Sequence, residues 1–219
     1  ADDEVRIVPN ASNAGIVAAA LTAAAPPSVS VDNQHDDKGI LAVQGPESAA
    51  LLASIGLPGG HDYMAFVDSE WQGHIVTVCR TGYTGEHGYE LVLPNSGLAP
   101  LWEAILEAGQ PLGLLPCGLA ARDTLRTEMG YPLHGQDISA EITPVEARTS
   151  WAVGWDKVAF HGRDALAAQK AAGARRLAWG LKASGRGVPR PHMDVKNAAG
   201  VVVGQTTSGT FSPTLQTGI

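Results

Sequence analysis

The chain has 219 residues, a mass of 22.7 kDa and a formal charge of −7, which already exclude several classes of protein. Apolar residues make up 44% and charged residues 17%. This composition can build the buried core of one or two domains, so disorder throughout the chain is excluded. The acidic balance disfavours nucleic-acid binding. Two cysteines are too few for a disulfide framework, which favours a reducing compartment. No apolar run approaches the roughly 20 residues that span a bilayer.

The first part of the chain predicts a short strand, a turn and a helix. Residues 5–8 have strand character, Asn10 lies in the following turn, and the alanine-rich residues 14–25 predict a helix that two prolines end. A polar segment at residues 32–38 then indicates a surface linker. We therefore expect a domain boundary near residue 36.

The middle of the chain alternates strands with helices without repeating strict βαβ units. Apolar alternation indicates the strands, and apolar residues at helical spacing indicate the helices. The predicted strands are residues 39–43, 74–80 and 89–93, and the last two form a hairpin. One predicted helix begins at Pro46, and two more cover residues 98–106 and 119–129. This order predicts an α+β fold and disfavours a Rossmann or barrel architecture.

The last third of the chain is rich in turn residues. A long connection follows Gly130, a short helix covers residues 163–172, and strand signals recur at residues 177–181 and 201–204. We expect four segments: an N-terminal remainder at 1–36, an α+β subdomain at 37–135, a connection at 136–173 and the start of a β domain at 174–219.

The strongest local motif is the glycine-rich segment at residues 81–91. Glycines at every third position let backbone approach a ligand closely, although an ordinary hairpin turn has the same composition. Glu90 lies on the strand that follows, and alternation places it on the face opposite Tyr89 and Leu91. On a buried face its carboxylate needs paired N–H donors, which an aminopyrimidine, a pterin or an arginine would supply.

Two further clusters have a structural and a functional interpretation. Arg122 and Arg126 share one face of a predicted helix, where a solvated charged face is the simpler explanation. Trp151 and Trp155 are also four residues apart, and they indicate core packing or a stacking wall for a flat ligand.

Several kinds of chemistry have no motif in this sequence. The seven histidines are scattered without the spacing of metal ligands, which disfavours a metal site. A Walker loop, a dinucleotide-binding glycine motif and a nucleophile elbow are also missing from the sequence, which disfavours nucleotide hydrolysis and serine-hydrolase chemistry.

Five motifs in this order and spacing carry a resemblance to a known family. They are LAVQGP at 41–46, RTGYTGE at 80–86, GYE at 88–90, ARDTLR at 121–126 and TSGTFSP at 207–213. From about Val5 to the last residue the chain resembles the T protein (aminomethyltransferase) family of the glycine cleavage system, within the folate-binding superfamily.

The resemblance implies an α+β folate-binding cloverleaf with the start of a C-terminal β-barrel. It implies tetrahydrofolate as co-substrate and the lipoylated H protein as partner. The implied reaction moves the aminomethyl carbon from the lipoyl arm to tetrahydrofolate and releases ammonia. The implied location is the bacterial cytoplasm or the mitochondrial matrix. The alternative is a non-enzymatic folate-binding module or iron-sulfur assembly factor of the same superfamily.

The resemblance also implies roles for individual residues. Glu90 matches the glutamate that pairs with the pterin ring, and Arg122 matches a substrate-contacting arginine, with Arg126 ranked below it. Tyr83 and Trp151 match aromatic residues of the folate pocket, and Asn10 matches an asparagine near the reacting end of the folate.

No residue of the printed sequence matches the family's catalytic residue. The family's catalytic aspartate lies in a Gly-Gly-x-x-Asp-Asp segment that would precede Ala1, and a folate-contacting arginine of the barrel would follow Ile219. The sequence is therefore expected to be truncated at both ends. We expect this polypeptide to keep part of a folate pocket without full catalysis.

Overall fold

The computed structural model describes residues 3–219; Ala1 and Asp2, which begin the predicted segment 1–36, lie outside the described residues. The chain divides into two compact units. The first contains the described residues up to Gly82 together with Glu86–Pro116, and the second contains Tyr83–Gly85 and Cys117–Ile219. The predicted boundaries near residues 36, 136 and 174 stay predictions.

A four-stranded antiparallel sheet organises the first unit. Its strands are β1 (Lys38–Gln44), β2 (Phe66–Trp71), β3 (His74–Cys79) and β4 (Gly88–Pro94), in the order β1-β4-β3-β2. The predicted strands at 39–43, 74–80 and 89–93 are confirmed, as is the pairing of the last two.

The core of this unit lies on one face of the sheet. Tyr89, Leu91 and Leu93 alternate along β4 with their side chains fully buried, because successive side chains of a strand point to opposite faces. Helices α2 (Ser48–Ser54) and α3 (Asn95–Gly109) pack on this face. Burying each large apolar side chain contributes about 1.5–3 kcal/mol, so this layer is the main source of stability in the unit.

The opposite face of the sheet presents a row of side chains across all four strands. In register along this row lie Ala42 on β1, Glu90 on β4, Cys79 on β3 and Phe66 on β2. The expected placement of Glu90 opposite Tyr89 and Leu91 is therefore confirmed.

The N-terminal segment differs from its prediction. Residues 5–8 do not form a strand, and Val5, Ile7 and Val8 are exposed. Arg6 instead donates through its Nη1 to Asp68 Oδ1 at 2.9 Å and to Thr77 Oγ1 at 3.0 Å. The helix predicted at 14–25 is confirmed as α1 (Ala14–Ala24).

Strand β2 has no counterpart among the predictions. It alternates Phe66, Asp68 and Glu70 on one side and lies at the edge of the sheet, where most of its residues are exposed. Pairing with β3, rather than apolar content, specifies this strand.

The second unit contains two helices and two small sheets. Helix α4 is Leu119–Glu128 and helix α5 is Arg163–Ala172, both as predicted. The long connection after Gly130 is also present, and it includes the 3-10 turn Ser150–Ala152. One two-stranded sheet pairs β5 (Asp194–Lys196) with β6 (Val202–Gln205), and another pairs β7 (Phe211–Ser212) with β8 (Thr217–Gly218).

One strand predicted in the second unit is wrong. Residues 177–181 form no strand, although residue 178 donates its backbone N–H to Glu146 O at 2.8 Å. The side chains of Leu177, Trp179 and Leu181 are exposed. The alternation of apolar residues here is therefore not accompanied by pairing with another strand. Within residues 3–219 no closed barrel is formed. None of the described helices is long and apolar enough to cross a membrane.

Candidate functional site

Glu90 is the candidate residue of the first unit, and its carboxylate has one strong partner. The Thr81 hydroxyl donates a hydrogen bond to Glu90 Oε2, with an oxygen–oxygen distance of 2.5 Å. Throughout the described chain, no basic side chain forms an ion pair with Glu90, and no other hydrogen bond reaches its carboxylate. The second oxygen, Oε1, is therefore available to donors from a ligand.

The neighbours of Glu90 in the row across the sheet are small. Ala42 lies on one side and Cys79 on the other. The pKa of the Cys79 thiol is raised, mainly by burial and further by the negative charge of Glu90. Cys79 is therefore a poor nucleophile, because the thiolate is the reactive form.

The glycines of the 81–91 turn make room for the protein's own side chains. A β-carbon at Gly82 or Gly88 would overlap the carboxamide of Gln44. Gln44 Nε2 lies 3.3 Å from Thr81 O and 3.1 Å from Tyr89 O and donates to both. Gly82 and Gly88 thus accommodate Gln44, and the approach of this backbone to a ligand stays a prediction.

In the second unit the structure brings Arg122 and Tyr83 together. The Arg122 guanidinium carbon lies 4.4 Å from the centroid of the Tyr83 ring, a cation–π contact. Tyr83 also stacks on Tyr131 with ring centroids 5.8 Å apart, and its hydroxyl donates to Pro132 O at 2.5 Å. Burial raises the pKa of Tyr83, and the positive charges of Arg126 and Arg122, which lower it, offset this increase only in part. Tyr83 is thus a neutral, fixed aromatic surface.

Arg122 and Tyr83 line a cleft of about 400 Å³ in this unit. Arg122 and Arg190 supply positive charge, and no carboxylate pairs with either among the residues that the structure describes. The full lining is Tyr83, Leu119, Arg122, Asp123, Arg126, Leu133, Gln136, Arg190, Pro191 and Gly209. Such a cleft suits a ligand with a flat apolar part and an anionic group.

Arg126, the other arginine of α4, is buried with 3% of its side chain exposed. Its Nε and Nη2 donate to Asp123 Oδ1, and its Nη1 donates to Asp137 Oδ2 at 2.7 Å. Nη1 also donates to Tyr131 O, and Nη2 to Ser208 Oγ. Every N–H of this guanidinium therefore has a protein acceptor. The interpretation of Arg126 as part of a solvated face is wrong.

Asp137 completes the cluster around Arg126. Burial disfavours its charged form, but hydrogen bonds from Thr207, the Leu133 backbone and Ser208, with the charge of Arg126, outweigh burial and lower its pKa. The predictions did not include Asp137. Asp137 and Ser208 lie outside the helix that carries Arg126, so no local sequence pattern indicated this cluster.

The comparisons with known proteins agree on one family. The GCVT N-terminal domain family matches residues 1–157. The chain belongs to this family. It is 58% identical over 99% of its length to an aminomethyltransferase of Frankia alni, and 55% identical over its whole length to one of Mycobacterium avium. It covers 60% and 59% of those two proteins.

A solved structure shows the same relationship. The glycine cleavage system aminomethyltransferase T from Bartonella henselae superimposes with a TM-score of 0.86 at 35% identity, over 95% of this chain and 57% of that one. The predicted family and the predicted α+β fold of the aminomethyltransferase type are therefore confirmed. The chain spans about 60% of the length of the curated relatives that it matches.

Of the remaining predicted residues of this GCVT-family chain, Asn10 and Trp151 lie on its surface. Asn10 is exposed and precedes the 3-10 turn Ala11–Asn13 without capping it through its side chain. Trp151 is 84% exposed and does not line the cleft of Arg122 and Tyr83, so the core-packing interpretation of this residue is wrong. Trp155 is half-buried, and its Nε1 donates to Ser150 O at 2.8 Å.

The described part of this GCVT-family chain contains no group of three or more His, Cys, Asp and Glu side chains that could hold a metal ion. The candidate residues are instead hydrogen-bonding, cationic and aromatic groups. These are the groups that bind and orient an organic substrate.

Proposed function

We propose that this chain acts as an aminomethyltransferase of the glycine cleavage system, with tetrahydrofolate as co-substrate and lipoylated H protein as partner. The reaction would transfer the one-carbon unit from the aminomethyl-lipoyl arm to tetrahydrofolate and release ammonia. The names of the Frankia, Mycobacterium and Bartonella proteins support this proposal. Because these relatives are bacterial, a cytoplasmic location is part of the proposal.

The observation that supports the proposal most directly is the hydrogen bonding of the Glu90 carboxylate. One of its oxygens is held by Thr81, and the other has no protein partner among the described residues. A pterin presents an amino group and a ring N–H side by side, which matches the two oxygens of a carboxylate, because the oxygen that accepts from Thr81 keeps a second lone pair. A half-buried carboxylate with no cation beside it gains most from such a pair of donors.

The cleft of the second unit supports a role for Arg122 and Tyr83 in the same proposal. Tyr83 offers a ring surface for a flat group, and Arg122 offers a guanidinium with no carboxylate partner in the described chain. We assign both to folate contact, and we keep Trp151 and Asn10 as further contact residues. Arg126 has no N–H left for a ligand, so it ranks below Arg122.

The proposed residues bind and orient the co-substrate. Holding tetrahydrofolate in a fixed pose converts an encounter of two molecules into a reaction within one complex, which lowers the entropic part of the barrier. We also keep the four segments 1–36, 37–135, 136–173 and 174–219 as the proposed domain organisation.

The substitution Glu90→Gln tests the folate site. It keeps the shape of the side chain but replaces one acceptor with a donor, so we expect the free energy of tetrahydrofolate binding to weaken by about 1–3 kcal/mol. Calorimetric titration of the 219-residue chain under anaerobic conditions measures this change. The control is Glu70→Gln, an exposed glutamate of the same sheet, for which we expect no change.

The transfer reaction is tested by mixing the chain with aminomethylated H protein and tetrahydrofolate. Formation of ammonia and 5,10-methylenetetrahydrofolate above the rate without the chain supports the proposal. A chain that neither binds tetrahydrofolate nor accelerates transfer contradicts it. Tetrahydrofolate binding that is the same in the Glu90→Gln variant would remove Glu90 from the site.

A further inference from the structure

We infer that Thr81 is a positioning residue for Glu90: its hydroxyl bonds one carboxylate oxygen and thereby fixes the plane in which the carboxylate accepts from the ligand. This inference rests on the proposed function, because it concerns the same folate site. It assigns a role to a residue that lies outside the set predicted from the sequence.

The hydrogen bond itself is the first argument. Thr81 Oγ1 lies 2.5 Å from Glu90 Oε2, which is within the range of a hydroxyl bonded to an ionised carboxylate. Such charge-assisted bonds are about twice as strong as neutral ones. The terminal torsion of a glutamate is otherwise broad, so an unheld carboxylate would rotate. Thr81 therefore selects one orientation of the plane of the carboxylate.

The second argument is that the fold fixes the backbone of Thr81. Gln44 Nε2 donates to the carbonyl oxygens of both Thr81 and Tyr89, the residue that precedes Glu90. Gly82 and Gly88 lie against the Gln44 side chain without β-carbons. One side chain of β1 thus ties together the two chain segments that carry the hydroxyl and the carboxylate.

The third argument is the absence of a competing partner in the described chain. Along the row of the sheet Glu90 lies between Ala42, which has no polar atom in its side chain, and Cys79, whose thiol forms no hydrogen bond with it in the described chain. No ion pair to Glu90 is present between residues 3 and 219. Thr81 is thus the residue that orients this carboxylate before a ligand binds, and binding then orders fewer groups.

The test compares variants of Thr81 with two ligands. Thr81→Val removes the hydroxyl with little change in shape, and Thr81→Ser keeps the hydroxyl. The ligands are tetrahydrofolate and its analogue with a methyl group in place of the 2-amino group, which lacks one donor to Glu90. Affinities are measured by anaerobic titration of the full chain, and thermal unfolding is measured for each variant.

We expect Thr81→Val to weaken tetrahydrofolate binding about tenfold, while the affinity for the methyl analogue changes less than about threefold. Thr81→Ser should retain the discrimination between the two ligands. A merely structural role would weaken both ligands equally. If Thr81→Val does not fold, Thr81→Ala makes the same comparison.

The outcomes separate this inference from the proposed function. If Glu90→Gln weakens tetrahydrofolate binding but Thr81→Val does not, the positioning role is overturned and the folate site stands. Equal losses for both ligands, or a Thr81→Ser variant that behaves like Thr81→Val, also overturn it. If the unsubstituted chain does not bind tetrahydrofolate, the proposed function and the inference both fail.

Discussion

Glu90 in the first unit and Arg126 in the second are charged side chains that differ in how many of their hydrogen-bonding atoms have a protein partner. Glu90 has one hydroxyl donor and no ion pair in the described chain, whereas each N–H of Arg126 has an acceptor. A group that is fully satisfied within the protein has nothing left to offer a ligand. The comparison therefore separates a residue that holds the fold from a residue that is available for binding.

The largest effect that we expect from this comparison is on stability. Arg126→Met leaves the Asp137 carboxylate, which is 16% exposed, without its cation, and it leaves Ser208 without a donor. Breaking a buried ion pair from one side costs about 3–5 kcal/mol in free energy of unfolding. Urea unfolding followed by tryptophan fluorescence measures this loss. In the matched control Arg122→Met we expect a change within about 0.5 kcal/mol, because Arg122 is exposed. Equal losses of stability in the two variants would show that Arg126 contributes no more to the stability of the fold than Arg122.

A second prediction concerns pH. The pKa of Asp137 is lowered in the folded chain, so its stabilising contribution is present above the unfolded value of about 3.9 and is lost as the pH falls through the lower folded value. Asp137→Asn removes this contribution. Between pH 7 and pH 2 the free energy of unfolding should therefore fall by about 1–3 kcal/mol less in the variant than in the unsubstituted chain.

Urea unfolding at the two pH values checks this difference. Asp62→Asn is the control, because Asp62 is exposed and its carboxylate accepts no hydrogen bond within the described residues. The prediction is wrong if Asp137→Asn and the unsubstituted chain have the same pH dependence.

The smallest expected effects concern two glycines. At Gly82 a β-carbon would displace the Gln44 carboxamide and break its bonds to Thr81 O and Tyr89 O, so we expect Gly82→Ala to destabilise the chain by about 1–2 kcal/mol. Gly15 lies in α1 with open space around it, so Gly15→Ala should stabilise by about 0.5–1 kcal/mol. Thermal unfolding of the two variants should shift in opposite directions. Equal shifts would show that Gly82 has no special role in holding Gln44.

The sequence predicted most of the regular elements of this chain. Strands β1, β3 and β4 of the central sheet and helices α1 to α5 follow from local periodicity, which the chain carries within a few neighbouring residues. The failures have a common cause. Residues 5–8 and 177–181 have strand-like patterns but no partner strand, while β2 has a weak pattern and a good partner in β3. A strand needs its neighbour, and local sequence does not report whether one is present.

The sequence by itself determined the family, the α+β class and the face of β4 on which Glu90 lies, because motif letters and period-two alternation are local properties. Only the tertiary structure decided which arginine of α4 is buried, because its partners Asp137 and Ser208 come from distant parts of the chain. It also decided that Gly82 and Gly88 accommodate Gln44 and that Thr81 holds Glu90. Close approach between distant segments is a property of packing.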